Sequence, residues 1–220
     1  LHRAHVTHIP FENLDVLLGR PIRLDLDSLQ AKLVGAKRGG YCFEQNALFA
    51  AVLEQLGFVV TRLAARVQLG TTRVLPRTHM LLSVEVEGSP WIADVGFGGW
   101  GLLEPMPLIA DCETRQGDWA YRLRRDCVQW VLQCLQRDGW QDQYAFTLEP
   151  QLPVDYEPAN YFCSTHPESR FVQMLTAQLA GPALRCILRN RDYTVADAAG
   201  EHERHPAAQR QAHFEQQRAQ

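Results

Sequence analysis

A cysteine follows two glycines in the stretch Arg38-Gly39-Gly40-Tyr41-Cys42-Phe43-Glu44-Gln45-Asn46, at the mouth of an apolar run. That setting suits a nucleophile. A helix starting at Tyr41 or Cys42 leaves its first N–H groups unpaired. Its end carries roughly half a positive charge. Thiolate is favoured over thiol at such a place. Paired glycines allow a tight turn and close approach of a substrate. The plainer alternative is a small buried hydrophobe, the usual fate of a free cysteine.

A thiolate nucleophile works with a proton acceptor and a group that orients it. Most histidines lie in polar surroundings: His2, His5 and His8 at the chain start, His166 in Ser-Thr-His-Pro-Glu-Ser, and His202, His205 and His213 in the tail. His79 differs, because it opens the alternating run 79–86. Asp94 lies inside a second apolar stretch, 91–95. A buried carboxylate requires a partner. The two runs read as a hairpin, so His79 and Asp94 can share a face. A two-residue loop at Gly88-Ser89 offsets them by four residues, roughly 13 Å, too far for a hydrogen bond. A wider loop or a bulge closes that gap. The alternatives are a strand-edge surface histidine and a turn-forming aspartate before Gly96.

The elements that must position these residues are legible in outline. Pro10 ends any helix begun at Leu1. Asp27 reads as an N-cap with Gln30 three residues on. Leu29, Leu33 and Val34 then form one apolar face, and Gly35 ends the helix. The body of the next helix, 47–53, is apolar all round, which predicts burial, with Gly57 as its C-cap. From Phe58 the texture becomes β-branched. Runs at 58–69, 79–86, 91–95, 120–125, 127–135 and 142–149 read as short strands between Gly and Asp turns, suggesting a small barrel or sandwich. One helix over 171–179 and one strand over 184–195 follow. From Glu201 the tail is polar and reads as frayed helix or disorder. The Gly-rich stretch 96–101 is a turn that brings backbone close to a substrate, with Gly98 and Gly99 as weak phosphate-binding candidates.

Composition narrows the function classes. The 220 residues carry 22 basic and 25 acidic groups, a net charge of −3. Bulk nucleic-acid binding is not suggested. The six cysteines show neither C-x-x-C pairing nor zinc spacing, so no metal site is expected. No apolar run approaches the ~20 residues of a membrane span. A cytoplasmic, reduced-thiol protein is the default expectation.

Five motifs together resemble the arylamine N-acetyltransferase family, in the family's order: IPFENLDVLLGRPI, RGGYCFEQN, RTHMLLSVEV, WIADVGFGG and STHPESRF. The likeness runs from Leu1 to about Val195. It implies an α+β fold: a helical bundle over 1–57 carrying the nucleophile, a β-barrel over 58–160 carrying the histidine and aspartate, and an α/β lid with the polar tail over 161–220. It implies a catalytic triad of Cys42, His79 and Asp94. It implies acetyl-CoA as co-substrate and an arylamine, arylhydrazine or N-hydroxyarylamine as acceptor. The resemblance places Phe11 and Phe97 in the acceptor pocket, and Phe43 beside the nucleophile is a further candidate. It also pairs Glu12 with Arg38. The same triad types serve thiol hydrolases, and a binding module with a dead triad is a second rival reading.

Overall fold

The computed structural model describes residues 1–71 and 73–206, the last six by backbone alone. Helix α1 (His2–His8) stops before Pro10. Strand β1 (Phe11–Glu12), α2 (Leu14–Leu17) and α3 (Leu26–Leu29, running on as a π turn over Gln30–Gly35) lead to α4 (Cys42–Gln55). Eight strands follow: β2 (Val60–Val67), β3 (His79–Val86), β4 (Ser89–Ala93), β5 (Met106–Pro107), β6 (Glu113–Gln116), β7 (Trp119–Asp126), β8 (Gln129–Gln136) and β9 (Gly139–Phe146). They form a nearly closed, barrel-like sheet in the order β5-β4-β3-β2-β9-β8-β7-β6. Helices α5 (Tyr156–Thr165) and α6 (Arg170–Gln173) precede β10 (Thr176–Ala180), β11 (Arg185–Arg189), β12 (Asp192–Asp197) and β13 (Gly200–Pro206). These last four strands take up β1 to make a second sheet, β1-β10-β11-β12-β13. The first and third stretches of the chain are therefore hydrogen-bonded to each other. No helix among the described residues is long and apolar enough to cross a membrane.

Several local expectations are corrected. The N-cap of α3 is Asp25, whose carboxylate accepts the Ser28 N–H at 3.0 Å, and Asp27 sits in the first turn. Leu29 and Leu33 are buried, but Val34 is 59% exposed. The wider π turn rotates it off the apolar face. Segment 171–179 is not one helix: α6 ends at Gln173, and β10 pairs with both β1 and β11. Cross-strand pairing overrides the local helical preference there. Segment 184–195 is a hairpin rather than one strand, turning at Asn190 with φ 51°, a conformation that asparagine tolerates. The backbone continues as strand β13 from Gly200 to Pro206 where fraying or disorder was expected. The remainder of the polar tail, with His213, lies outside the described residues.

The mouth of α4 is held by buried charge. Glu44 accepts the Tyr41 N–H at 3.0 Å, capping the helix. Its carboxylate meets Lys32 at 2.7 Å, and Lys32 meets Asp15 at 2.8 Å. Arg38 pairs with Glu12 at 2.8 Å, the pair implied by the resemblance, and reaches Asp15 at 3.4 Å. The two glycines before Cys42 serve this packing rather than substrate approach. A Cβ on Gly40 would lie 2.6 Å from the Glu44 carboxylate, and one on Gly39 would collide with the Pro10 carbonyl.

Lys32 and Glu44 side chains are only 17% and 3% exposed. Removing one partner of such a pair leaves a charge stranded away from water, at a cost of roughly 3–5 kcal/mol. Lys32→Met should lower the unfolding free energy by about 3 kcal/mol in urea titration. An unchanged midpoint and slope would mean that the network carries no net stability.

Candidate active site

The β3–β4 hairpin decides whether His79 and Asp94 can meet. It turns at Glu87-Gly88, with φ 51° and 74°. Positive φ at both positions matches the twist of a two-residue hairpin. This loop is one residue earlier than Gly88-Ser89, and the register becomes Leu82 opposite Ala93 and Val86 opposite Ser89. Continued past the strand end, Leu81 faces Asp94 and His79 faces Gly96. The offset is two residues instead of four, with no bulge. Diagonal neighbours on one face lie ~7–8 Å apart, within reach of an imidazole and a carboxylate.

Asp94 Oδ2 accepts a hydrogen bond from His79 Nε2 at 2.7 Å. Its Oδ1 accepts from Asn46 Nδ2 at 2.9 Å and from the Gly96 N–H at 3.0 Å. Both His79 and Asp94 are buried. Burial works against charge on each, but the pair outweighs it. Asp94, assisted by the hydrogen-bonded Cys42 sulfur, raises the His79 pKa. His79, Asn46 and the Gly96 N–H hold Asp94 below the usual carboxylate range. The site therefore favours imidazolium and carboxylate. With Nε2 committed to Asp94, the other ring nitrogen of His79 is left for Cys42.

Cys42 is the first residue of α4 and is buried. Its sulfur lies 3.7 Å from the Thr78 carbonyl, at the entry to β3. Gly96 permits this approach of helix to hairpin. A Cβ there would sit 2.7 Å from Cys42 Cα.

A cleft of about 570 Å³ opens onto Cys42 and His79. Phe11, Phe97 and Phe171 line it. Phe97 packs edge-on to His79 at 5.1 Å, and Phe11 lies 5.9 Å from Phe171. Two expected site residues are placed elsewhere. Phe43 follows Cys42 in the helix and so points away. It lines a separate cavity of about 140 Å³ and packs against Tyr41 and Tyr156. Gly98 is absent from the lining of the larger cleft, and Gly99 reaches it with both backbone groups engaged. The Gly99 N–H donates to Gln178 and its carbonyl accepts from Arg185, so neither is free for a phosphate. Among the described residues, no group of His, Cys, Asp and Glu is arranged to hold a metal ion.

Sequence reasoning missed Asn46 and His2. Asn46 lies four residues after Cys42, on the same helix face, and that spacing was a usable signal. It also binds the Met80 carbonyl at 2.8 Å and receives the Val95 N–H at 3.0 Å, which makes it a tie between α4, β3 and the end of β4. His2 accepts the Asp94 N–H at 3.1 Å and bonds the Leu103 carbonyl at 3.0 Å. Nothing in a terminal polar segment announces a buried histidine.

Comparison with known proteins is consistent with this geometry. A family model described as N-acetyltransferase matches residues 1–217. The arylamine N-acetyltransferase of Escherichia coli K12 is 49% identical over 172 residues, 78% of this chain and 61% of that protein. The enzyme of the same name from Mycolicibacterium smegmatis is 43% identical, covering 93% of this chain and 77% of its own length. This chain thus spans about three fifths of the Escherichia coli protein and more of the mycobacterial one. The structure of arylamine N-acetyltransferase from Salmonella typhimurium superposes with a TM-score of 0.88 at 40% identity, covering 93% of this chain and 76% of that one. That of the Mycobacterium marinum enzyme in complex with CoA does so with 0.88 at 36% identity, covering 93% and 77%.

The histidines impose a pH optimum on folding. Burial lowers His2 and His5 to about 4. Their neutral forms stabilise the fold above the unfolded value near 6.5, and that stability is lost as pH falls toward 4. His79 is raised, so its contribution is complete below ~6.5 and is lost as pH rises through its folded value. Stability should therefore peak near pH 6.5. His2→Gln should flatten the acid limb, because each tenfold difference in proton affinity is worth about 1.4 kcal/mol. Urea midpoints at a series of pH values check this, and an acid limb unaltered in the variant would contradict it.

Proposed function

This chain belongs to the arylamine N-acetyltransferase family, and on that premise we propose that it moves an acetyl group from acetyl-CoA, through Cys42, to an arylamine, arylhydrazine or N-hydroxyarylamine. The observation that carries the reading is the convergence of a helix-N-terminal cysteine on a buried, hydrogen-bonded His79–Asp94 pair. The CoA held by the Mycobacterium marinum relative supports the choice of donor.

In this reading the Cys42 sulfur attacks the acetyl carbonyl as a thiolate beside the His79 imidazolium. The tetrahedral adduct collapses by breaking the bond to the coenzyme sulfur, which leaves as a thiolate and takes a proton from His79. One thioester is exchanged for another, so the step is nearly neutral in energy. The amine then attacks the acetyl-cysteine. His79 accepts the amine's proton, and Cys42 leaves as thiolate. Asp94 orients the ring and supports its charge, as the aspartate of a serine triad does. Two half-reactions on one nucleophile give ping-pong kinetics. A thiol hydrolase could use the same three groups, but the wall formed by Phe11, Phe97 and Phe171 suits a flat ring better than an extended peptide.

The reading is tested by mass. Mixing with acetyl-CoA and no acceptor should add about 42 Da, localised to Cys42 by peptide mapping, and addition of an arylamine should discharge it. An adduct on another cysteine, or none, would overturn it. The ring wall gives a second test. Aromatic pairs add ~0.5–1.5 kcal/mol beyond area burial. Phe97→Ala should therefore slow transfer to arylamine by about tenfold, with acetylation of Cys42 less affected. The reverse pattern would assign Phe97 to the donor side.

A further inference from the structure

Three guanidinium groups from separate segments line the same cleft as Cys42: Arg73 between β2 and β3, Arg170 at the start of α6, and Arg189 at the end of β11. Several other arginines among the described residues have visible partners. Arg38, Arg62 and Arg77 meet carboxylates, and Arg122 and Arg185 lie over tryptophan rings. Arg170 and Arg189 differ. Among the described residues neither side chain has a carboxylate or hydrogen-bond partner, and the buried Arg189 Nε–H is left unsatisfied. Arg170 is exposed on the cleft rim, yet the crowding of the surrounding chain first, and the Arg189 charge second, push its pKa down. Among the described residues Glu168 is the one carboxylate on the cleft wall, and it makes no ion pair with either arginine.

Two like charges converging without a counter-ion are costly, and an oxyanion arriving between them relieves that cost. Planar guanidinium forks match phosphate and carboxylate geometry through paired, charge-assisted hydrogen bonds. We propose that Arg170 and Arg189 form an anion-binding subsite in the cleft that holds an oxyanion carried by one of the reactants. This deepens the acetyl-transfer reading and rests on it for the identity of those reactants. Two of them can carry such a group: the phosphates of the coenzyme, or a carboxylate on the acceptor ring. Arg73, exposed on the same wall, adds long-range attraction to either.

The double variant Arg170→Gln/Arg189→Gln separates the sources. Cys42 acetylation would be timed with acetyl-CoA and with para-nitrophenyl acetate, which has neither phosphate nor carboxylate. Discharge of acetyl-Cys42 would be timed with para-aminobenzoate and with uncharged para-toluidine. One anionic reactant should lose about tenfold or more in kcat/KM, while its neutral counterpart changes far less. Loss confined to acetyl-CoA assigns the coenzyme phosphates, and loss confined to para-aminobenzoate assigns the acceptor carboxylate. Arg170→Lys/Arg189→Lys should recover part of the loss, because it keeps the charge without the fork. Equal loss with charged and neutral reactants, or no loss with any, overturns the proposal. If the wild type acetylates no cysteine at all, the transfer reading fails separately. Calorimetric titration with CoA and with para-aminobenzoate then judges the subsite alone, and identical Kd values in wild type and double variant would sink it.

Discussion

Asp94 is a carboxylate sealed from water at the end of a strand, and the candidate site is arranged around satisfying it. Stranding such a charge costs several kcal/mol unless its oxygens are fully hydrogen-bonded. Its partners come from three directions: His79 from β3, Asn46 from α4, and the Gly96 N–H from the loop that follows. Its own N–H goes to His2 in α1. One side chain and one peptide unit thus tie two helices to the hairpin. The arrangement exists only when all of these elements have docked. The same requirement fixes the imidazole in the single orientation that leaves its second nitrogen for Cys42.

The opposite side of the Cys42 segment is fixed by a different physics. Glu12, Asp15, Lys32, Arg38 and Glu44 form a chain of ion pairs beneath the mouth of α4. Burial raises the Glu44 pKa even beside Lys32, so this cap is held under tension between desolvation and pairing. Aromatic packing of Tyr41 against Phe43 and Phe171 extends the same anchor toward α6. Cys42 therefore sits between two satisfied polar networks, with little freedom to drift from His79. That rigidity is what an attacking sulfur needs, since small misplacements cost large factors in rate.

Much of this was legible in the sequence. The cysteine at a helix mouth, the strand-opening histidine and the aspartate in an apolar strand could be picked out by residue type and local setting. Elements with strong local signatures, such as α4 and β3, also read correctly. The failures have two causes, one local and one long-range. The hairpin register depended on a left-handed Glu87, which no propensity favours. Segment 176–180 became a strand because β1 and β11 were there to pair with it. The burial of His2 depends on Leu103 and Asp94, about a hundred residues away along the chain. Phe43 was assigned to the site by adjacency to Cys42, although successive helical residues face different directions. The strand at 176–180 and the buried His2 are misses of one kind, since those contacts form only after distant segments meet, whereas Glu87 and Phe43 are misses of local geometry.

The glycine-rich loop after Asp94 shows how such distant segments shape the cleft. Gly99 is clamped by Gln178 of β10 and Arg185 of β11, so the second sheet holds the backbone that carries Phe97 and Trp100. Arg185 is fully buried, yet no carboxylate pairs with it among the described residues. Its charge is met instead by the Gly99 carbonyl, by the Tyr121 hydroxyl at 2.6 Å, and by the face of Trp119 at 4.3 Å. Dipoles and a ring quadrupole are a weaker answer to a buried cation than an acid would be, and burial pulls the Arg185 pKa down accordingly. The consequence is electrostatic. A carboxylate at that position would cancel the Arg185 charge behind the cleft wall. Neutral partners hold the loop and leave the Arg185 charge unneutralised.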